Sequence, residues 1–172
     1  NFIKGITGVG VLSKHAGADL KVVDIGINYD VEYPGLINKK IRKSTWNISK
    51  GPAMTRDEAI EAMEIGIEMV RIAKEEGYSL LGTGEMGICN TSTSSAVLIS
   101  LTGCSIETAV GRGAGLTDKG FENKKAAISR ALEINRPDNN DVIDVLSKVG
   151  GFDIAGIAGC FIGAAYYRVP IL

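Results

Sequence analysis

The amino-acid sequence predicts an α/β fold in which helices flank a mainly parallel β-sheet. Three observations support this class. Short apolar runs alternate with longer helical patterns, glycine-rich turns separate them, and the composition is that of a folded domain. Hydrophobic residues make up 45% and charged residues 23% of the 172 residues, which disfavours disorder. The length suits one domain over residues 1–172. A chain of this length buries roughly 70% of its unfolded surface, so it needs no disulfide or metal to fold.

The first part of the chain combines two helical patterns with one strand-like run. Residues 1–16 predict a helix, and residues 21–26 predict a short buried strand. Residues 29–50 show no clear period, so we expect a long loop there. Thr55 and Glu58 have the spacing of a capping box, which predicts the start of the next helix. Its apolar residues fall on one stripe: Ile60, Met63, Ile67 and Val70.

The rest of the chain continues the alternation. Gly77 is expected to end the preceding helix, and residues 79–83 to form a second strand. Further helices are expected at residues 90–101, 119–134, 142–149 and 153–166, before a final short strand. The inward residues of the second of these helices are expected to be Phe121, Ile128 and Leu132. The order of elements predicts three layers with a Rossmann-like core.

Charge and cysteine content exclude several classes of protein as the main theme. Lys and Arg number 19 against 20 Asp and Glu, and this balance disfavours a polybasic nucleic-acid binder. The three cysteines form no C-x-x-C pair and His15 is the sole histidine, so no metal site is expected. The longest uncharged apolar run, residues 154–167, is shorter than the ~20 residues of a spanning helix. We therefore expect a cytoplasmic protein without nucleic-acid or membrane partners.

Residues 82–93 carry the clearest functional signal. This segment follows a predicted strand and opens a predicted helix, which is where ligands bind in open α/β sheets. Glycines let backbone N–H groups approach an anion, and the N-terminus of a helix favours negative charge. Asn90 and Thr91 are residue types that satisfy the first N–H groups of a helix. The segment therefore predicts a site for an anion or a nucleotide.

The same residues leave alternatives open. Gly82, Gly84 and Gly87 satisfy G-x-G-x-x-G, which is typical of NAD-dependent oxidoreductases. This signal is weak, because Glu107, at the spacing of the supporting acid, does not follow a predicted strand. Glu85 either favours the helix dipole as a structural group or serves as a general base.

A second glycine cluster lies at residues 110–115, where Gly111 and Gly113 offer another set of N–H groups. Lys124 follows on a predicted helix. Its local sequence favours a solvated helix lysine over a point charge for phosphate. The chain has no Walker spacing.

Residues 84–91, GEMGICNT, strongly resemble the G-E-M-G-I-G-N-T-T signature of the nicotinate-nucleotide–dimethylbenzimidazole phosphoribosyltransferases. Residues 51–55, 110–115 and 144–153 resemble further segments of that family in the same order. The resemblance implies phosphoribosyl transfer from nicotinate mononucleotide to a benzimidazole, giving α-ribazole phosphate and nicotinate, in synthesis of the lower ligand of cobalamin. It also implies a homodimer and no redox cofactor.

The resemblance also implies roles for individual residues. Glu85 matches the signature glutamate and would be catalytic, while Lys124 matches a phosphate-binding lysine. The other residues expected to bind substrate are Met86, Gly87, Asn90, Thr91, Gly111 and Gly113.

The chain departs from the family pattern in two positions and in length. Cys89 stands where the signature has glycine, and Ser92 stands where it has threonine. At positive φ a cysteine would cost roughly 1 kcal/mol or more. Family members are much longer, and their principal base lies in a C-terminal part. The chain is therefore expected to be a fragment with reduced activity, or else a non-catalytic nucleotide-binding module.

Overall fold

The computed structural model describes residues 1–172, which form two compact units, residues 1–44 and residues 45–172. Unit one contains helix α1, Gly8–Ala16, and strands β1, Val22–Asp24, and β2, Leu36–Asn38. Unit two contains six helices. They are α2 (Arg56–Glu75), α3 (Asn90–Thr102), α4 (Ile106–Ala109), α5 (Asp118–Asn135), α6 (Val142–Val149) and α7 (Phe152–Tyr167).

In unit one, β1 and β2 pair in parallel, with Val22 opposite Leu36 and Asp24 opposite Asn38. The strand predicted at residues 21–26 is confirmed over Val22–Asp24, where Val22 and Val23 are half-buried and Asp24 is buried. The prediction of an unstructured loop over residues 29–50 is wrong at β2, because pairing with β1 forms a strand that the local sequence does not announce. Asp24 is fully buried and accepts hydrogen bonds from the N–H groups of Gly26 and Ile27 at 3.0 and 2.8 Å.

Helix α1 begins later than predicted. The helix was expected from residue 1, but Gly5 adopts a φ of 66° and interrupts it. Thr7 then caps the helix by accepting a hydrogen bond from the N–H of Gly10. Gly17, at a φ of 67°, ends the helix as predicted.

The first and last strands predicted in unit two shrink to a single parallel bridge between Leu81 and Ile171. Backbone hydrogen bonds around it join Leu81 to Pro170 and to Leu172. The α/β class and the parallel pairing are confirmed, while the strand content is smaller than predicted. Too few residues pair at this bridge to make regular strands.

Helix α2 begins at the predicted capping box, with both reciprocal hydrogen bonds of Thr55 and Glu58 formed. Its buried face differs from the predicted stripe, of which Val70 alone is fully buried. Small residues are buried instead: Ala59, Ala62, Gly66 and Ala73. The reason is the close approach of α7, because a Cβ atom on Gly66 would overlap the carbonyl oxygen of Gly156.

Beside the packed pair of α2 and α7, a hydrophobic core lies between α3, α5 and α6. Its buried members are Ala96, Val110, Ile128, Val145 and Val149. Phe121 and Leu132 pack against it, so the predicted inward face of α5 is confirmed. This core fixes α3 and α5, which carry the residues of the candidate site. None of the helices combines the length and the apolar sequence that a transmembrane span requires.

Candidate nucleotide site

Residues 82–89 form an irregular, largely exposed segment that leads into α3. Within it, the carboxylate oxygen Oε2 of Glu85 accepts a hydrogen bond from the N–H of Gly87 at 2.7 Å. The apolar side chains of Met86 and Ile88 are 72% and 90% exposed. The segment therefore presents one carboxylate and two uncovered apolar side chains from a short stretch of chain. We call residues 84–89 the signature turn.

Cys89 ends the signature turn in the left-handed conformation, with a φ of 68°. Because cysteine stands here in place of the signature glycine, the left-handed backbone carries the strain expected for a residue with a Cβ atom. Cys89 is the N-cap residue of α3 and provides no side-chain cap. The N–H groups of Asn90 and Ser92 instead donate to the backbone carbonyl oxygens of Gly87 and Cys89, at 3.2 and 2.8 Å.

Lys124 is the most informative residue of the site because it is buried, with only 7% exposure. Its ammonium group donates hydrogen bonds to the Thr91 hydroxyl and to the carbonyl oxygen of Gly111, both at 2.8 Å. The solvated state favoured by the local sequence is therefore wrong. Both acceptors are neutral, and an ammonium group has three N–H donors, so one donor and the positive charge remain for an anion.

The second glycine cluster, residues 110–115, forms a turn that packs directly against the start of α3. We call it the second glycine turn. A Cβ atom on Gly113, which has a φ of 60°, would lie 2.9 Å from the Thr91 hydroxyl and 3.6 Å from the Lys124 ammonium nitrogen. The hydroxyl oxygen of Ser95 lies 2.8 Å from the carbonyl oxygen of Thr91 and 2.9 Å from that of Ala109. These contacts bring the two glycine segments of the sequence together around one buried cation.

Asp153 is a residue of this region that the sequence analysis did not single out. Its Oδ2 accepts a hydrogen bond from the side-chain amide of Asn90 at 2.7 Å. A Cβ atom on Gly87 would overlap the same oxygen atom, so the carboxylate lies directly behind the signature turn. The signals available in the sequence were its place in the first turn of a helix and within a family-like segment.

The structure thus places the expected site residues in two groups. One group surrounds the Lys124 ammonium: Thr91, Gly111 and Gly113. The other group is joined by short polar contacts within and behind the signature turn: Glu85, Gly87 and Asn90. The remaining residue, Met86, presents an exposed side chain. No group of three His, Cys, Asp or Glu side chains lies close enough to hold a metal ion.

Comparison with known proteins identifies the family. A family model described as phosphoribosyltransferase matches residues 1–172. The chain is 61% identical to a nicotinate-nucleotide–dimethylbenzimidazole phosphoribosyltransferase of Ruminiclostridium cellulolyticum and 57% identical to that of Clostridium acetobutylicum. Both alignments cover 100% of this chain and 49% of the relative.

A solved structure supports the same assignment. The crystal structure of CobT from Thermus thermophilus superimposes with a TM-score of 0.93 at 35% identity. That alignment covers 99% of this chain and 51% of the solved chain. The chain therefore spans about half the length of the curated relatives that it matches. It belongs to the family of the nicotinate-nucleotide–dimethylbenzimidazole phosphoribosyltransferases.

Proposed function

We propose that this chain is the nucleotide-binding part of an enzyme that transfers a phosphoribosyl group from nicotinate mononucleotide to a benzimidazole. The observation that carries the proposal is Lys124, a buried ammonium group that joins the start of α3 to the second glycine turn. Within this family, that arrangement supports a site for the phosphate of the mononucleotide. The products would be α-ribazole phosphate and nicotinate.

The phosphate would lie between Lys124 and the N-terminus of α3. The third N–H donor of the ammonium group and the positive end of the α3 helix dipole both favour the negative charge of a phosphate group. Around Gly84 and Gly111 no atom lies within 4 Å of where a Cβ atom would stand, so a ligand has room to approach the backbone. Met86, Gly87 and Thr91 would complete the contacts with the nucleotide.

Glu85 is the candidate for the proton acceptor within this chain. A ring nitrogen of the benzimidazole would attack the anomeric carbon of the ribose, with inversion, as the bond from that carbon to nicotinate breaks. The bonding electrons leave with nicotinate, and a carboxylate takes the proton of the attacking heterocycle. Because Oε2 of Glu85 is held by Gly87, the carboxylate has a fixed direction and Oε1 is left to accept that proton. The family resemblance places a further base in a region outside this chain.

The wider setting follows from the resemblance to the family. We place the enzyme in the cytoplasm as a homodimer, without a redox cofactor, in the pathway that makes the lower ligand of cobalamin. Its partners would be the two small-molecule substrates.

Nicotinate release tests the proposal. The 172-residue chain and the full-length protein that carries it are incubated with nicotinate mononucleotide, with and without dimethylbenzimidazole. We expect release that depends on the benzimidazole in the full-length protein, and at least nucleotide binding in the shorter chain. Calorimetry with NAD in place of the mononucleotide should show little heat, and heat with NAD alone would contradict the proposal.

Two matched variants separate catalysis from folding. Glu85→Gln should lower turnover by at least about tenfold, because an amide cannot take the proton. Glu107→Gln is the control, since Glu107 lies in the first turn of α4 and is exposed. If the 172-residue chain and the full-length protein both bind the nucleotide and neither turns it over, a non-catalytic binding module is favoured.

A further inference from the structure

The side chain of Asn90 is committed at both ends to protein partners. Its amide nitrogen donates to Oδ2 of Asp153 at 2.7 Å, and its amide oxygen accepts a hydrogen bond from the Ser94 hydroxyl at 2.8 Å. The contact with Asp153 fixes the orientation of the amide, because a flipped amide would set its oxygen atom against the carboxylate oxygen. Asn90 is therefore tied to its own helix on one side and to α7 on the other.

Asp153 is equally constrained. While Oδ2 faces Asn90, Oδ1 accepts a hydrogen bond from the N–H of Ile154 at 2.9 Å. Asp153 lies in the first turn of α7, where a negative charge is favoured by the helix dipole. Its carboxylate thus links the N-terminal ends of α7 and α3, although 63 residues separate Asn90 and Asp153 along the chain.

The same carboxylate supports the signature turn from behind. A side chain at position 87 would occupy the place of Oδ2 of Asp153, so the backbone of Gly87 packs directly on the carboxylate. Gly87 in turn donates its N–H to Glu85 and accepts a hydrogen bond from the N–H of Asn90 at 3.2 Å. Asp153 therefore contacts the two residues between which the turn passes into α3.

We propose that Asp153 is a positioning residue for the phosphoribosyl transfer, which orients Asn90 and holds the signature turn so that Glu85 and the start of α3 face the nucleotide. The inference rests on the proposed function for its catalytic meaning. It assigns to Asn90 a role through its bond to Asp153 rather than through direct contact with substrate.

Four variants of the full-length protein test the pair. Asp153→Ala removes the acceptor and should lower kcat/KM about 100-fold, which is the effect of a displacement of about 1 Å in an active site. Asp153→Asn keeps an acceptor oxygen and should lose less than about tenfold, because a neutral hydrogen bond replaces a charge-assisted one. Asn90→Asp places two carboxylates against each other and should lose as much as Asp153→Ala.

The reciprocal exchange N90D/D153N is the decisive variant. It restores a donor opposite an acceptor with the two residues reversed, and it should recover at least about tenfold of the activity lost in N90D. Asp57→Ala is the matched control, since Asp57 occupies the same helical position in α2 and is exposed. It should leave kcat/KM unchanged. The free energy of unfolding of each variant is measured by urea denaturation, so activity lost by protein that is still fully folded separates positioning from folding.

A readout independent of activity keeps the inference testable if the enzyme is inactive. The side-chain amide protons of Asn90, assigned by their disappearance in N90D, should exchange slowly in the wild type and rapidly in D153A. Slow amide proton exchange in D153A would overturn the inference. In an active enzyme, equal activities of D153A and D57A would overturn it as well, and so would an N90D/D153N variant no more active than N90D. If the wild-type protein shows no turnover, and D153A loses the slow amide proton exchange of Asn90, the proposed function is refuted while the placement of Asp153 is supported.

Discussion

The glycines of the α2–α7 pair and the glycines of the site turns have opposite surroundings. In the helix pair, Cβ atoms on Gly66 and Gly159 would overlap the backbone carbonyl oxygens of Gly156 and Met63. In the turns, Gly84 and Gly111 have no atom within 4 Å of that position. The first group is needed because two backbones meet. The second group leaves open space beside the backbone, which is the property that a ligand requires.

Gly87 and Gly113 form an intermediate case. Their Cβ positions are blocked by side chains rather than by backbone, Asp153 for Gly87 and Thr91 for Gly113. A side chain can rotate away at a cost, whereas a helix backbone moves only with its whole helix. The high glycine content of the sequence, 22 of 172 residues, therefore has at least three physical causes.

The largest effect is expected in the helix pair. Gly159→Ala should lower the free energy of unfolding by about 3 kcal/mol or more, because the new methyl group meets the backbone of α2 and forces the helices apart. Urea denaturation followed by circular dichroism measures the change. A loss below about 1 kcal/mol would show that the pair tolerates separation and would remove the contrast with the turns.

An intermediate effect is expected at Gly87. Gly87→Ala should cost about 1–2 kcal/mol of stability and should reduce turnover as Asp153→Ala does, because the methyl group displaces the Asp153 carboxylate. The double variant G87A/D153A provides the control. The effect of the alanine on stability should nearly vanish there, since the blocking oxygen is gone, and equal costs in both backgrounds would contradict this account.

The smallest effect on stability is expected at Gly84. Gly84→Ala should leave the free energy of unfolding unchanged or raise it by up to about 1 kcal/mol, because it restricts the unfolded chain and meets no neighbour. Its affinity for nicotinate mononucleotide should fall, since the methyl group enters the space proposed for the ligand. Thermal unfolding and calorimetry measure the two effects on one sample, and an unchanged affinity would place the ligand elsewhere.

Local signals predicted most of the helices of unit two. Helices α3, α5 and α6 begin and end within about two residues of their predicted bounds, a difference typical of fraying ends. Helix α2 begins at its predicted capping box, but the stripe predicted as its buried face is wrong. Large and small apolar residues both form stripes along it, and only the glycines of α7 determine which stripe can be buried.

The contacts among the candidate site residues follow from the sequence where they lie within one segment, and not where they join distant parts of the chain. Glu85 and Gly87 are neighbours in a recognisable turn. The burial of Lys124 follows from packing between α3, α5 and the second glycine turn, so its local sequence pointed to solvent. Asp153 meets Asn90 across 63 residues, and no local pattern encodes that pairing. The single domain predicted over residues 1–172 stays a prediction.

The central claim is that Lys124 holds the phosphate of the substrate. Calorimetry of the full-length protein with nicotinate mononucleotide and with nicotinate riboside, which lacks the phosphate, tests it most directly. Lys124→Met keeps the apolar stem and removes the charge, and Lys125→Met is the control because that ammonium lies 3.0 Å from Glu122. We predict that K124M weakens mononucleotide binding on the order of 100-fold and abolishes the preference for the phosphorylated ligand. An unchanged preference in K124M would contradict the account.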